Sequence, residues 1–424
     1  MVARSLHRPV DVHHHFRPMA LLASAFALSS ASLTAQVVIP LQMFASNQIG
    51  ISVQLGTAPQ PFTYLLDTGS VAFLSASGSS SYWDGAFAST TPGETFDISY
   101  GGGALRYQGI VAHTTLTFQT VGGGSFQVDN VRMGAITTPP AIHPTWNADI
   151  NSDPPIAPES GQFFGTFGAG LNKSAATNGN FTSILGQIPL TGGLANGFVV
   201  HTGGAQSTSA TLTVGLSQEM IDSFPILIAM NPLTGTNTND NGTVVNLYPQ
   251  AQTTANYSIT HGLDSYHASA DLILDTGGLD TYMTTGTELD PPGSLLDSGP
   301  SRIRDGSTFL VEVPATDNPF SQELAQPFEW LTSPTGTTAY ENLISVFTGS
   351  GNGSLNSGIP IFYQYDVMFD TENGIIGLRP IPEPSALLLA ALSGALAALI
   401  ARTTKSRSRR SPHSCPTARG SNPP

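Results

Sequence analysis

The chain has 424 residues, enough to bury one large core or two lobes. Asp and Glu outnumber Lys and Arg by 29 to 15, and most of the basic residues lie before residue 36 or after residue 380. A body this acidic repels nucleic acid and anionic lipid, which excludes nucleic-acid binding as its function.

The remaining composition points to an all-β protein. Gly and Pro are abundant, at 44 and 31 residues, while charged residues make up only 10% of the chain. Short alternating apolar runs separated by turn residues recur throughout, and helical periodicity is scarce. The single cysteine, Cys415, lies near the C-terminus, so we expect a body without disulfides.

Residues 1–35 are predicted to be a signal peptide. Arg4, Arg8 and Arg17 precede an apolar segment at residues 19–28, and small residues follow up to Ala35. A basic region, an apolar region and a small-residue cleavage site in this order are typical of export signals. We therefore expect an exported protein.

Residues 49–57 and 62–66 are predicted to form a β-hairpin. The first range alternates apolar with small or polar residues, the period of a half-buried strand, and a Pro-containing turn separates it from the second. The returning strand ends at Asp67, so the hairpin delivers this carboxylate to a loop.

Few helices are expected in the middle of the chain. Residues 198–200 and 211–215 are predicted strands, placed near a junction between two lobes. The helical candidates are residues 217–222 and 341–347.

The tripeptide Asp-Thr-Gly occurs twice, at Asp67 and again at Asp275, about one domain length apart. Each copy follows an apolar, strand-like run. Taken singly, either copy can be a polar turn that closes a strand, because Asp, Thr and Gly all favour turns. Two copies on similar halves favour one shared site, in which two aspartates hold one proton.

The first copy and its approach resemble the pepsin-like aspartic proteases. Residues 56–62 read Gly-Thr-Ala-Pro-Gln-Pro-Phe and lead into Asp-Thr-Gly-Ser, as at the opening of that family. The resemblance extends over residues 47–380. It implies an all-β, bilobal fold with a cleft between an N-terminal lobe at 45–205 and a C-terminal lobe at 210–380. It also implies a catalytic dyad with supporting neighbours: Asp67 and Asp275, with Thr68, Gly69, Ser70, Thr276 and Gly277.

Three further segments resemble parts of the same family. Residues 96–103 resemble the hairpin flap that closes over the substrate, with Tyr100, Gly101 and Gly102 as its substrate contacts. Residues 165–171 resemble the glycine-rich segment that packs behind the first aspartate. Residues 358–378 resemble the closing strands of the second lobe.

The sequence departs from the family pattern at three places. Gly278 follows the second tripeptide where the family has Ser or Thr, whose hydroxyl bonds the catalytic carboxylate. Leu74 stands where the family has a Trp that bonds the flap tyrosine. Asn356 and Ser357 are polar where the family is apolar. The expected enzyme is an aspartic endopeptidase, and these departures keep open a catalytically weak or inactive surface protein that binds peptide or glycan.

The C-terminal segment at 381–410 resembles the bacterial PEP-CTERM sorting signal, which an exosortase recognises. Pro382, Glu383 and Pro384 precede an apolar run at residues 386–401, predicted to be a transmembrane helix, and a basic stretch follows. The alternative is an ordinary tail anchor. Residues 411–424 are expected to be a disordered tail. The resemblance implies a membrane-anchored protein of the cell envelope or surface that processing can release.

We predict no cofactor and no metal. Asp149, Asn151 and Asp153 have the spacing of a calcium loop, but Pro154 stands where such a loop needs Gly. His261 and His267 have no third ligand at a useful spacing. The expected partners are a polypeptide substrate, an exosortase-type processing enzyme and the membrane, and the expected state is a monomer.

Overall fold

The computed structural model describes residues 36–45, 47–100, 103, 105–205, 207–285, 291–297, 302–312, 328–331, 344–348 and 353–381. The predicted signal peptide, Gly101 and Gly102 of the flap, and the sorting signal from Pro382 onward lie outside the described residues.

The described chain is mostly β. Its strands are β1 (Val37–Phe44), β2 (Gln48–Leu55), β3 (Phe62–Asp67), β4 (Phe73–Ala76), β5 (Ser89–Tyr100), β6 (Leu105–Gln119), β7 (Ser125–Thr138), β8 (Gly165–Gly168), β9 (Ala195–His201), β10 (Thr211–Leu216), β11 (Ile226–Ala229), β12 (Gly235–Thr238), β13 (Val244–Leu247), β14 (Thr253–His261), β15 (Asp264–Ile273), β16 (Thr281–Thr285), β17 (Thr308–Glu312), β18 (Phe328–Leu331), β19 (Ile344–Thr348), β20 (Ser354–Asn356), β21 (Tyr365–Asp370) and β22 (Ile375–Pro380).

The helices of the described residues are short. They are α1 (Trp146–Ile150), α2 (Gln218–Asp222) and α3 (Pro360–Gln364), with 3-10 turns at Ser81–Trp83, Ala176–Asn178, Leu185–Gln187 and Gly293–Leu295. The helix predicted at 217–222 is confirmed, because Ser217 caps α2 by accepting a hydrogen bond from the Met220 N–H at 3.2 Å.

The helix predicted at residues 341–347 is wrong at 344–347, and residues 341–343 lie outside the described residues. Residues 344–348 form strand β19, which pairs in parallel with β16. Ile344 and Val346 are buried, whereas Ser345 between them is less buried and Phe347 is exposed, which is the two-residue period of a strand. The β-branched Ile344 and Val346 fit this half-buried sheet surface better than a helix.

Two sheets contain most of the strands. The larger has the order β11-β22-β21-β9-β10-β1-β2-β3-β8-β4-β7-β6-β5, and the smaller has the order β18-β17-β14-β15-β20-β16-β19. Strands β9 and β10, predicted from residues 198–200 and 211–215, pair with each other antiparallel. Strands β21 and β22 join the same sheet from the end of the described chain through the pairing of β21 with β9.

One pattern of strand pairing occurs twice, and it places both Asp-Thr-Gly loops. In the first repeat, defined as β6-β2-β3-β8-β4-β7, β3 is parallel to β8, β8 antiparallel to β4, and β4 parallel to β7. The second repeat, defined as β17-β14-β15-β20-β16-β19, has the same orientations in the same order. Asp67 therefore ends, and Asp275 closely follows, a strand held between an antiparallel and a parallel neighbour.

Aromatic side chains fill the core behind the first aspartate. Phe73 packs edge-on against Tyr64 with ring centroids 4.8 Å apart, and it lies 5.2 Å from Phe167. All three rings are fully buried. Burial of each stabilises the fold by about 1.5–3 kcal/mol, so the strand leading to Asp67 is rigidly supported.

Candidate active site

The two Asp-Thr-Gly loops meet, and their threonines bind each other's backbone. Thr68 N–H donates to Thr276 Oγ1 at 3.1 Å, and Thr276 N–H donates to Thr68 Oγ1 at 3.0 Å. Each hydroxyl then donates across the junction, Thr68 to the Leu274 carbonyl at 2.8 Å and Thr276 to the Leu66 carbonyl at 2.7 Å. These four buried hydrogen bonds lock two loops that are far apart in sequence into one site.

The glycine of each loop is required by the close approach of the opposite carboxylate. A Cβ at Gly69 would lie 2.6 Å from both carboxylate oxygens of Asp275. A Cβ at Gly277 would lie 2.6 Å from Cγ of Asp67. No side chain fits at such distances, so the Asp-Thr-Gly pattern is a steric requirement of bringing Asp67 and Asp275 together.

Asp67 is buried, with only 7% of its surface exposed. Its Oδ1 accepts a hydrogen bond from the Gly69 N–H at 2.9 Å. Burial, followed by the neighbouring charge of Asp275, raises the pKa of Asp67 well above its ordinary value. Asp67 therefore favours the protonated form.

Asp275 is half-buried and accepts more hydrogen bonds. Its Oδ1 accepts from the Gly277 N–H at 2.7 Å, and its Oδ2 accepts from the Asn356 side-chain amide at 2.6 Å. Its own N–H donates to Ser357 Oγ at 3.2 Å. Sequence reasoning marked Asn356 and Ser357 only as unusual polar residues, and the structure brings both to the second aspartate.

Tyr100 lies at the end of β5, paired with Leu105 of β6, as the predicted flap hairpin requires. Its ring packs edge-on against Tyr107 with centroids 5.8 Å apart. The Tyr100 hydroxyl and Ser70 Oγ are both buried, and the Ser70 hydroxyl lies within reach of the Tyr100 hydroxyl and of the Asp67 carboxylate. Leu74 is fully buried in β4, and its side chain has no polar group to offer the tyrosine.

A buried acid, Glu159, lies near the flap tyrosine and was not predicted. It accepts a hydrogen bond from the Tyr107 hydroxyl at 2.6 Å, and burial raises its pKa to about 7. Its charge contributes to the electrostatic field at Tyr100. Residue 159 lies in a Pro- and Gly-containing stretch of the sequence, and no local pattern signals this contact.

The other predicted features stand apart from this site. His261 and His267 lie on the β14–β15 hairpin, and no group of three or more His, Cys, Asp or Glu side chains in the described ranges is arranged to hold a metal ion. Where the structure describes the chain, no helix is long and apolar enough to cross a membrane.

The fold is shared with a solved protease, although no relative is found by sequence. No protein-family model matches the chain, and no curated protein matches it. The structure of the aspartic proteinase from Irpex lacteus aligns with a TM-score of 0.50 at 16% identity, covering 82% of this chain and 97% of that one. At this identity the likeness supports a pepsin-like fold.

Proposed function

We propose that the protein is an exported aspartic endopeptidase that hydrolyses peptide bonds through Asp67 and Asp275. The observation that carries the proposal is the junction of the two loops, where reciprocal threonine bonds and two obligatory glycines hold one carboxyl against the other. Such a pair keeps one proton over a range of acid pH, because two like charges this close do not both ionise readily.

The proposed chemistry uses the two carboxyls in different states. A water molecule between them gives a proton to the ionised carboxylate while its oxygen attacks the substrate carbonyl carbon, and the protonated carboxyl donates to the carbonyl oxygen. The resulting tetrahedral diol collapses when one hydroxyl gives its proton to the carboxyl that is now ionised, the C–N bond breaks, and the leaving nitrogen takes the proton that the other carboxyl received from water. Tyr100, with Gly101 and Gly102, is proposed to close over the extended polypeptide.

The test is cleavage of a denatured protein between pH 3 and 7 by the wild type and by Asp67→Asn and Asp275→Asn. Each substitution should lower the rate by about 10²–10⁴-fold, because it removes a proton-transfer group. Asp129→Asn is the matched control, since this exposed carboxylate accepts a hydrogen bond from Thr115 Oγ1 at 2.8 Å, away from the dyad. Equal cleavage by the wild type and both dyad variants would refute the assignment.

A second candidate is a non-catalytic surface protein that uses the cleft to bind peptide or glycan. It is favoured by Gly278, which offers no hydroxyl to Asp275, and by the apolar, fully buried Leu74, which has no polar group for the flap tyrosine. A pepstatin-like inhibitor separates the two, because its statine hydroxyl needs a dyad that shares a proton. Peptide binding that is unaffected by this inhibitor and unaccompanied by cleavage would favour the binding protein.

We also propose that the signal peptide at residues 1–35 exports the protein and that residues 386–401 hold it in the membrane until an exosortase-type enzyme cuts near Pro382-Glu383-Pro384. The last described strand pairs through Pro380, and the Ile381 N–H donates to the Gln364 carbonyl at 2.8 Å. A chain ending after Ile381 keeps these bonds and should appear in the medium. If wild-type and truncated chains stay equally in the membrane fraction, the segment is not the anchor.

A further inference from the structure

We infer that the Asn356 side-chain amide replaces the missing hydroxyl at position 278 and holds Asp275 as the ionised member of the dyad. The inference rests on the proposed peptidase function and assigns a positioning role to Asn356. It also assigns the two carboxyls, with Asp275 as the base and Asp67 as the acid.

The orientation of the Asn356 amide is determined by its other bond. Its Oδ1 accepts from the Gly358 N–H at 2.9 Å, so this end of the amide is the carbonyl. The –NH₂ end is therefore the one that faces Asp275 Oδ2 at 2.6 Å, and it donates. A reversed amide would place two N–H donors against each other at Gly358 and two acceptors against each other at Asp275.

The amide occupies space that a side chain at position 278 would use. A Cβ at Gly278 would lie 3.3 Å from Asn356 Oδ1, 3.2 Å from the Gly358 Cα and 3.5 Å from Asp275 Oδ2. The Gly278 backbone is not in the left-handed region, so its conformation does not demand glycine. A seryl hydroxyl at 278 could reach Asp275 Oδ2, but only by crowding Asn356. A hydroxyl at position 278 and the amide of Asn356 are thus alternative donors to Asp275 Oδ2.

The repeated strand pattern shows that only the second half of the site replaces the hydroxyl after Asp-Thr-Gly by an amide from the neighbouring strand. In the first repeat Leu65 lies opposite Thr166, and in the second repeat Ile273 lies opposite Asn356. Both pairings fall two residues before the respective aspartate. The first repeat thus combines Ser70 with Thr166, whereas the second combines Gly278 with Asn356.

Hydrogen bonds and burial together favour different protonation states in the two carboxyls. Asp275 accepts from two N–H groups, one on each oxygen, while Asp67 accepts from the Gly69 N–H, has the Ser70 hydroxyl within reach and is the more buried of the two. Hydrogen-bond donors stabilise an ionised carboxylate, and burial disfavours it. The geometry therefore places the negative charge on Asp275 and the shared proton on Asp67.

The test measures kcat/KM against pH for the wild type, Asn356→Leu and the double variant Asn356→Ala/Gly278→Ser, in which the small side chain at 356 leaves room for the new hydroxyl. Loss of the donor should move the acid limb of the profile upward by about one to two pH units, the effect of one hydrogen bond to a charged group. KM should stay unchanged, because the amide contacts Asp275 rather than the substrate. The double variant should bring the limb back towards the wild-type position.

Two further variants control for the loss of a half-buried amide elsewhere and for misfolding of Asn356→Leu. Asn246→Leu is the matched control, since its half-buried amide donates to the Thr371 carbonyl at 3.0 Å away from the dyad, and it should leave the profile in place. Asn356→Asp retains an acceptor for the Gly358 N–H if Asn356→Leu does not fold. Its added negative charge beside Asp275 should move the acid limb upward as well.

Failure of the inference is distinguishable from failure of the proposed function. A wild type that cleaves nothing refutes the peptidase. The titration of Asp275 can then still be followed by ¹³C NMR of protein labelled at the aspartate carboxyl carbons, with the signal assigned by its loss in Asp275→Asn. An upward shift of this titration in Asn356→Leu supports the inference. An unchanged titration, or an unchanged acid limb in an active enzyme, overturns it.

Discussion

Replacing Thr276 by Val should loosen the junction between the Asp-Thr-Gly loops while preserving side-chain shape. The hydroxyl donates to the Leu66 carbonyl at 2.7 Å and accepts from the Thr68 N–H at 3.1 Å, and Thr276 is 1% exposed. Valine leaves both backbone groups buried without a partner. Each unsatisfied group costs about 1–3 kcal/mol, so the free energy of unfolding should fall by about 2–6 kcal/mol.

Urea unfolding followed by tryptophan fluorescence measures this loss. Thr68→Val is the symmetric variant, because its hydroxyl donates to the Leu274 carbonyl at 2.8 Å and accepts from the Thr276 N–H at 3.0 Å, and it should cost a similar amount. Thr115→Val is the control. It removes an exposed bond to Asp129 and should change stability by less than about 1 kcal/mol.

The two junction variants should also lose peptidase activity, because misplacement of a carboxyl by about 1 Å can cost about 100-fold. A Thr276→Val protein that unfolds within about 0.5 kcal/mol of the wild type would refute the reasoning. The loops would then be held by the surrounding sheets, and the reciprocal hydrogen bonds would contribute little to stability.

Three more predictions concern one dyad glycine, a half-buried histidine and a buried acid. Gly277→Ala should abolish cleavage, because its Cβ would lie 2.6 Å from Cγ of Asp67, and wild-type activity in the folded variant would contradict this. The His201 ring lies 2.5 Å from the Asp366 carboxylate, whose hydrogen bond is the main cause that raises the pKa of His201. This stabilisation is complete below about pH 6.5 and is lost as the pH rises through the raised pKa of His201. The urea midpoint of His201→Gln should therefore vary less with pH in this range than that of the wild type, and equal pH dependence would contradict the ion pair. Burial raises the pKa of Glu159 from 4.5 to about 7, so the folded state binds this proton more tightly and the wild type should lose about 3 kcal/mol of stability between pH 4.5 and 7. Glu159→Gln should lack that loss, and identical pH curves for the two proteins would contradict the buried acid.

The sequence by itself determined the elements that depend on neighbouring residues. The alternation at residues 49–57, the turn after it and the return to Asp67 appear in the structure as β2, β3 and their antiparallel pairing. The cap Ser217 and the short helix behind it were equally local. The paired tripeptides also predicted a shared site, because glycine beside each aspartate leaves room for the other carboxylate.

Only the tertiary structure decided the features that depend on distant partners. Residues 341–347 looked helical in isolation, but the edge of β16 offered residues 344–348 a parallel partner, and sheet pairing prevailed over local propensity. Glu159 became a buried acid because β6 carries Tyr107 to it across 52 residues. Asn356 reaches Asp275 across 81 residues, through the parallel pairing of β15 with β20. Local sequence encodes strand, turn and cap, whereas a donor for one carboxylate oxygen is selected only when folding brings remote strands side by side.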